Sequence, residues 1–265
     1  MHPLLIQVGT LEIRTYAVML VLGFVSAFWL AMRRAEQYGY DSRLVTSLQT
    51  WILVASVVGA RSLFIATEWE RYRTQPLLAL MFWRGGLVYY GGLIAALAVS
   101  IWFGWRHRLP VLPGLDIAAP CIALGQFFGR LGCLAEGCCY GAVTSVPWAL
   151  SFGNFARDSQ PRHPTQLYEA LAVLALLFVL ERYYWRPGRR PGMVLVAYGY
   201  LYGLARFLNE TLRDDDRGGL YFGLFTISQC VSLGAIALAA AGHLSLSRCS
   251  PPADVAAGMA GRRVE

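Results

Sequence analysis

The sequence predicts an all-α fold, a polytopic membrane helix bundle of about seven transmembrane helices with a small periplasmic (outer-face) loop region. Of the 265 residues, 56% are hydrophobic and only 15% are charged, and the mean hydropathy is +0.45, which lies outside the usual range of soluble domains. Seven apolar runs are long enough to cross about 30 Å of hydrocarbon, which takes roughly 17–25 helical residues. Arginine is concentrated in alternate loops between these runs, as in multi-pass membrane proteins.

The predicted helices follow one another without a long polar linker. They lie at about 15–32, 44–66, 87–105, 114–130, 165–181, 193–211 and 220–244. Glu12 and Arg14 precede the first run where a signal peptide would have a strongly basic region, and no small-residue cleavage site follows. We therefore expect the first run to be a retained helix and residues 1–245 to form one membrane domain.

The arginine-rich loops predict the orientation. They follow the first, third, fifth and seventh runs, and they contain Arg33, Arg34, Arg43, Arg106, Arg108, Arg182, Arg186, Arg189, Arg190, Arg248, Arg262 and Arg263. Such loops stay in the cytoplasm, so we expect the N-terminus on the outer side of the membrane and the C-terminus in the cytoplasm. Residues 246–265 are rich in Pro, Gly and Ala and predict a disordered cytoplasmic tail.

The longest segment between predicted helices runs from Cys133 to Pro164. Its glycines and prolines are too frequent for a helix, and the alternating piece 146–152 predicts a short strand. The stretch 129–141 that leads into it is dense in charge, thiol and glycine. Arg130 in this stretch either forks onto a phosphate with two hydrogen bonds or pairs with Glu136 or another acid.

The sixth predicted helix has one strongly polar face. Tyr202, Arg206, Glu210 and Arg213 are spaced by four, four and three residues and so share this face, which cannot point at lipid tails. Arg206 is predicted to face the bundle interior. There it binds an anionic ligand, forms an i,i+4 pair with Glu210, or does both.

Other polar or small residues lie on the predicted outer side. The paired glycines 85–86 and 91–92 flank an aromatic piece and allow close approach of either a neighbouring helix or a ligand. His163 precedes a predicted helix start at Pro164, where a structural role is more common than a catalytic one. Arg61 lies within an apolar helix and needs a partner or a phosphate.

Three clustered thiols, Cys133, Cys138 and Cys139, leave three interpretations open. An oxidising outer side of the membrane would favour a disulfide from Cys133 to one of the other two. A metal site is a weaker alternative because the spacing offers no further ligand except His163. Unbridged small cysteines are the third interpretation, and neither a metal nor a cofactor is expected.

These motifs together resemble the prolipoprotein diacylglyceryl transferase family over nearly the whole chain. The matching segments are 14–16, 59–61, 85–92, 129–132, 162–169, 202–206, Glu210, Arg213 and 226–229. The resemblance implies transfer of the diacylglyceryl group of phosphatidylglycerol to the lipobox cysteine of a prolipoprotein. It also implies a thioether product and the release of glycerol phosphate.

The resemblance implies roles for individual residues. Arg130 and Arg206 would hold the lipid phosphate, and Glu210 and Tyr16 would orient the site. Further substrate-binding positions would be Arg61, Gly91, Gly92, Gly141, His163, Gln166, Tyr202 and Arg213.

The chain departs from the family pattern at four positions. Tyr90 stands where the family has a histidine, so Glu136 becomes a substitute base. Cys133 and Glu136 replace asparagines, and Cys138 replaces a glutamate.

Two other functions stay open at this point. A divergent paralogue could use phosphatidylglycerol with a different acceptor, and a non-catalytic protein could bind or transport lipid. The expected partners are phosphatidylglycerol, other membrane lipids and prolipoprotein signal peptides. Nucleic acid is not expected, because no basic stripe interleaves with aromatics, and the protein is expected to be a monomer.

Overall fold

Long helices make up most of the chain. A computed structural model describes residues 4–8, 11–80, 86, 88–153, 159–186, 188–214 and 224–248. The helices in these ranges are α1 (Thr15–Gln37), α2 (Ser42–Thr67), α3 (Trp69–Thr74), α4 (Tyr89–Arg106), α5 (Val111–Glu136), α6 (Thr165–Tyr184), α7 (Met193–Glu210) and α8 (Ile227–Arg248). The strands are β1 (Leu4–Val8) and β2 (Leu11–Arg14), which pair antiparallel, and β3 (Leu150–Ser151) and β4 (Pro161–Arg162), which also pair antiparallel.

The helices are suited to a membrane. Four of them, α1, α2, α5 and α8, are long and apolar enough to cross one. Large apolar side chains also point outward on other helices, as Leu97 and Ile101 do on α4, which suits contact with lipid tails. The prediction of a helical membrane protein is therefore confirmed, whereas the count of seven spans stays a prediction.

Helix α5 is longer than the sequence predicted. The expected non-helical segment from Cys133 was wrong at its start, because the helix continues to Glu136. Gly132 is tolerated inside it because Tyr16 of α1 approaches closely, so that a Cβ at this glycine would lie 2.9 Å from Cδ2 of Tyr16. The helix ends where Gly137 takes a left-handed conformation with φ of 71°, a common helix terminator.

The first turn of α7 is held by a carboxylate of α5. Asp116 is fully buried, and its Oδ1 accepts hydrogen bonds from the backbone N–H groups of Val194 (2.9 Å) and Leu195 (3.1 Å). Its Oδ2 accepts from the N–H of Gly192 at 2.8 Å and from the guanidinium of Arg189. One acidic side chain thus satisfies three N–H groups at this helix start and neutralises a buried arginine.

Helix α8 begins with a reciprocal cap. The backbone N–H of Gln229 donates to Oγ1 of Thr226 at 3.2 Å, and the backbone N–H of Thr226 donates to Oε1 of Gln229 at 3.0 Å. This capping box sets the helix start at Ile227, later than the predicted 220. The helix ends at Arg248, so residues 246–248 of the predicted tail 246–265 are helical, and the rest of that tail lies outside the described residues.

The chain between α5 and α6 contains a short strand within 146–152, as predicted, and this strand is β3 (Leu150–Ser151). Leu150 pairs with Arg162 and Ser151 with Pro161. Isolated bridges join Gly141 to Arg213 and Val143 to Arg162. These pairings tie the segment after α5 to the end of α7.

The chain forms two compact units, one of residues 1–31 with 112–265 and one of residues 32–111. In the second unit, α2 and α4 pack through glycine. A Cβ on Gly91 would lie 2.3 Å from the carbonyl oxygen of Gly59, and one on Gly59 would lie 2.5 Å from that of Gly91. Close backbone contact of this kind is typical of membrane helix pairs.

Candidate active site

A single buried carboxylate lies at the centre of the polar network in the first unit. Glu169, in the first turns of α6, accepts from Nη2 of Arg130 at 2.8 Å and from Nη1 of Arg206 at 3.1 Å. Its side chain is 3% exposed, whereas that of Arg130 is 21% exposed. Asn209 of α7 donates to the same carboxylate at 3.1 Å. Helices α5, α6 and α7 therefore bring the two predicted phosphate-binding arginines together.

A second carboxylate extends the network along α7. Glu210 lies 2.8 Å from Nη2 of Arg206, which confirms the predicted i,i+4 pair, and 3.9 Å from Nε of Arg213. The hydroxyl of Thr226, just before α8, donates to Oε1 of Glu210 at 3.3 Å. Arg206 therefore bridges the two acids and is fixed at both ends of its guanidinium.

Tyrosines border this network. The Tyr202 hydroxyl lies 3.4 Å from Oε1 of Glu169, and its ring stacks on Tyr198 with centroids 5.3 Å apart. Tyr16 lies on α1 against Gly132, which follows Arg130 by two residues on α5. Both predicted tyrosines are thus near the arginine pair, Tyr202 by direct contact with Glu169.

Glu136 does not pair with Arg130. Its Oε1 accepts from Nη1 of Arg14 at 2.9 Å, at the junction of β2 and α1. Its Oε2 is buried and accepts no hydrogen bond from the residues that the structure describes. One oxygen of this carboxylate is therefore left with a free lone pair.

The segment before α6 is bound to the loop after α5. Thr165 donates from its hydroxyl to the carbonyl of Cys139 at 2.6 Å, and Gln166 donates from Nε2 to the carbonyl of Cys138 at 2.5 Å. Gly141 lies in close backbone contact, since a Cβ there would be 2.5 Å from the Leu212 carbonyl oxygen. Gln166 and Gly141 were both predicted to bind substrate. In this structure Gln166 donates a hydrogen bond to the backbone of the loop after α5, and Gly141 packs against the backbone of Leu212.

His163 faces an aromatic neighbour. Its Nδ1 lies 3.1 Å from the hydroxyl of Tyr168, which also accepts from Nε1 of Trp148 at 2.7 Å. Arg162 beside it pairs with Asp214 at 2.8 Å. These contacts are of the kind that a structural histidine makes, and they lie near the end of α7.

The three predicted thiols converge at the end of α5. The Sγ atoms of Cys133, Cys138 and Cys139 all lie within 4.8 Å of one another, close enough to hold one metal ion, and none of the three is in a disulfide. Hydrogen bonds from the other two thiols and the charge of Arg213 hold the pKa of the Cys139 thiol well below its ordinary value. The predicted disulfide is not formed in this structure.

The remaining predicted residues belong to the second unit. Arg61 donates to the carbonyl oxygens of Leu78 (2.6 Å), Ala79 (3.0 Å) and Gly86 (3.0 Å). Backbone acceptors thus satisfy this buried arginine. Tyr90, 60% exposed, lies in the first turn of α4. Gly91 and Gly92 lie at the contact with α2, where a Cβ on Gly92 would be 3.0 Å from the Ser56 carbonyl oxygen.

Sequence reasoning missed the central role of Glu169. The residue was part of the 162–169 motif, but no partner or role was assigned to it. Its signal was present, because an acid one turn inside an apolar helix needs a cation. Asn209 gave no comparable signal, because a single amide on a helix face is common.

Apolar helices around a buried network of arginines and carboxylates define an integral membrane protein. A family profile described as prolipoprotein diacylglyceryl transferase matches residues 3–244. The chain belongs to the prolipoprotein diacylglyceryl transferase family, and with the four apolar helices this membership indicates a bacterial inner-membrane enzyme.

Relatives from several bacteria carry the same description, phosphatidylglycerol–prolipoprotein diacylglyceryl transferase. The protein of Nitratidesulfovibrio vulgaris (strain Miyazaki F) is 36% identical over 241 residues, which cover 87% of this chain and 88% of the relative. That of Aeromonas salmonicida is 32% identical over 88% of this chain and 86% of its own length. That of Solidesulfovibrio magneticus is 34% identical over 88% and 90%, respectively.

Proposed function

We propose that this chain transfers the diacylglyceryl group of phosphatidylglycerol to the cysteine thiol of a prolipoprotein, and that Arg130 and Arg206 bind the donor phosphate. The observation that carries the site is the convergence of both guanidinium groups on Glu169. Each guanidinium has five N–H donors in a planar fork, and the contacts with the carboxylates leave donors for phosphate oxygens. Arg130 keeps an exposed edge from which a lipid headgroup can be reached.

The chemistry is a displacement at the glycerol carbon of the donor lipid. The thiol sulfur forms a bond to this carbon while the bond from carbon to phosphate oxygen breaks. The electron pair of that bond leaves on glycerol phosphate. Positively charged groups fixed beside the leaving phosphate stabilise the charge that builds up there in the transition state.

The proton of the acceptor thiol needs a base, because the thiolate is the nucleophile. We assign this role to Glu136, whose Oε2 is buried and accepts no hydrogen bond from described residues, while Arg14 fixes the other oxygen. A carboxylate held in this way is oriented and can take a proton on its free oxygen. Tyr90 is the second candidate that the sequence suggests, at the position of the family's histidine.

The other sequence-based assignments remain proposals. Some of them concern the architecture of the protein. We propose seven membrane spans, an outer N-terminus with a cytoplasmic C-terminus, a monomer, and one domain over 1–245 with a tail over 246–265. Binding of the signal peptide by the enzyme is another proposal. We also propose a direct catalytic role for Glu210. The proposed substrate contacts are Tyr16, Arg61, Gly91, Gly92, Gly141, His163, Gln166, Tyr202 and Arg213.

The function is tested with purified protein, labelled phosphatidylglycerol and a lipobox peptide. Thioether peptide together with glycerol phosphate is the expected result, and Arg206→Ala should abolish both products. Glu136→Gln should slow peptide modification by about 10²–10⁴-fold, the usual range of a general-base contribution. Release of glycerol phosphate without modified peptide would instead favour a different acceptor, and lipid binding without turnover would favour a non-catalytic protein.

A further inference from the structure

The three thiols beside the candidate active site are brought together by the end of α5. Cys133 lies in the last turn of this helix, and the left-handed Gly137 turns the chain back so that the N–H of Cys138 donates to the carbonyl of Cys133 at 3.2 Å. Cys139 also has a left-handed backbone, with φ of 67°, which is unfavourable for a residue with a Cβ. Strain of this kind persists where the surroundings hold the residue in place.

The first turn of α6 provides those surroundings. Gln166 and Thr165 donate to the carbonyl oxygens of Cys138 and Cys139, at 2.5 and 2.6 Å. Both side chains are buried. The loop that carries two of the three sulfurs is therefore fixed before any ligand binds.

The sulfur positions match the needs of a small thiophilic ion. Three sulfurs each about 2.3 Å from a Zn²⁺ ion lie about 4 Å from one another. The Sγ atoms here are within 4.8 Å of one another, so shifts of well under 1 Å, on the order of side-chain motion, complete the geometry. Cys138 is exposed and gives the ion a path from solvent.

A disulfide uses this arrangement less well. Adjacent Cα atoms are about 3.8 Å apart across a trans peptide, whereas a disulfide needs about 4.4–6.8 Å, so Cys138 and Cys139 are poorly placed to bridge each other. Any bridge must include Cys133, and it leaves the third sulfur unused. A metal ion uses all three.

We propose that Cys133, Cys138 and Cys139 bind one Zn²⁺ ion whose fourth coordination position takes the acceptor thiol of the prolipoprotein. This inference rests on the transferase function proposed above and names a second group for the same site. Three protein ligands with one open position are the pattern of catalytic zinc, and a thiol that coordinates zinc loses its proton. The chain offers three ligands in this group and no fourth among its described residues.

The position of the group suits this role. Cys133 follows Arg130 by three residues on α5, so the two share one face of the helix. Glu136 follows Cys133 by three residues on α5, and in this proposal it takes the proton that the acceptor thiol releases. The zinc-bound sulfur then bonds to the glycerol carbon, the electron pair of the carbon–oxygen bond leaves with the phosphate, and the ion is unchanged.

The positive charge of Arg213 supports the site. Three thiolates and one Zn²⁺ carry a net negative charge, and a backbone bridge to Gly141, two residues after Cys139, holds the positively charged Arg213 beside this loop. The charged network and the proposed zinc site therefore share a residue, since Arg213 also lies 3.9 Å from Glu210.

The binding half of the proposal is tested without lipid or turnover. Reduced, metal-free protein in detergent is titrated with Zn²⁺ against a chromophoric chelator and, separately, with Co²⁺, whose absorption reports thiolate ligands. Wild type should bind one equivalent, with a sulfur-to-cobalt charge-transfer band. Cys138→Ser and Cys133→Ser should weaken binding at least tenfold, whereas Cys230→Ser, a free thiol on α8, should match wild type. Absence of binding by wild type, or equal binding by all variants, would overturn the site.

The acceptor half is tested by adding a lipobox peptide to the cobalt-loaded protein. The peptide should shift the charge-transfer band, and the same peptide with serine in place of its cysteine should leave it unchanged. An identical spectrum with both peptides would overturn the proposed activation of the acceptor. If zinc-free protein turned over phosphatidylglycerol at the full rate, the zinc inference would fail while the transferase function stood. If zinc bound but no lipid turned over, the transferase function would fail instead.

Discussion

The charge of Glu169 should control the donor site. Glu169→Gln keeps the size of the side chain but replaces a carboxylate by a neutral amide. In the wild type, this carboxylate accepts a hydrogen bond from Arg130 at 2.8 Å and one from Arg206 at 3.1 Å. After the change, the buried guanidinium of Arg206 and the partly exposed guanidinium of Arg130 face one neutral oxygen and an NH₂ group that repels them. Their positions beside the donor phosphate are then no longer fixed.

The size of the effect follows from the two contacts. A hydrogen bond to a charged group contributes about 1.5–3 kcal/mol, and breaking a buried ion pair by removing one partner costs about 3–5 kcal/mol. If about 3 kcal/mol of this is lost from the transition state, the rate falls by about 10²-fold, since each 1.36 kcal/mol is tenfold. We therefore expect Glu169→Gln to lower kcat/KM for phosphatidylglycerol by about two orders of magnitude.

The assay is glycerol phosphate release from labelled phosphatidylglycerol with a lipobox peptide, combined with thermal unfolding of the same preparations. Glu181→Gln is the matched control, because this residue has the same chemistry and lies on the same helix three turns later. The control should keep near-wild-type turnover. Turnover of Glu169→Gln within threefold of wild type would refute the reasoning, because the two arginines would then hold their positions without the shared charge.

Two further predictions concern the scaffold. Asp116→Ala removes the acceptor of three N–H groups at the start of α7 and leaves Arg189 buried without its carboxylate. We therefore expect the free energy of unfolding to fall by about 3–5 kcal/mol, with a lower Tm in thermal unfolding. An unchanged Tm would show that the pair does not hold the helix. Gly91→Val should lower the yield of folded protein in size-exclusion chromatography, because even a Cβ there would lie 2.3 Å from the Gly59 carbonyl oxygen. Gly104→Val is the control and should keep the wild-type yield, because a Cβ at Gly104 has open space around it. Equal yields of the two variants would contradict close packing of α2 on α4.

Sequence patterns predicted the parts of this protein that depend on periodicity and on the high cost of buried charge. The apolar runs gave the long helices, and the spacing on α7 gave the Arg206–Glu210 pair, because residues four apart on a helix must meet. The requirement that Arg130 find a partner was also correct. The partner itself could not be predicted, because Glu169 comes from a helix whose packing depends on tertiary contacts.

Other features depended on contacts that no local pattern encodes. The glycine-rich end of α5 was predicted to be a loop, but the helix continues through Gly132, where the close approach of Tyr16 leaves no room for a Cβ. The β1–β2 hairpin was not predicted, because strands of five and four residues are too short to show a clear alternation of apolar and polar residues. Convergence of three sulfurs required the turn at Gly137 and the left-handed Cys139, and spacing alone gives neither.

Binding of phosphatidylglycerol tests the central claim most directly. Native mass spectrometry of detergent-purified protein can compare wild type with Arg130→Gln/Arg206→Gln, and Arg248→Gln at the exposed end of α8 serves as control. The account predicts a retained phosphatidylglycerol adduct in wild type and in the control, and its loss in the folded fraction of the double variant, whose Tm should be lower because Glu169 and Glu210 lose their cations. An equally retained adduct in the folded double variant would contradict the claim that these two arginines bind the donor phosphate.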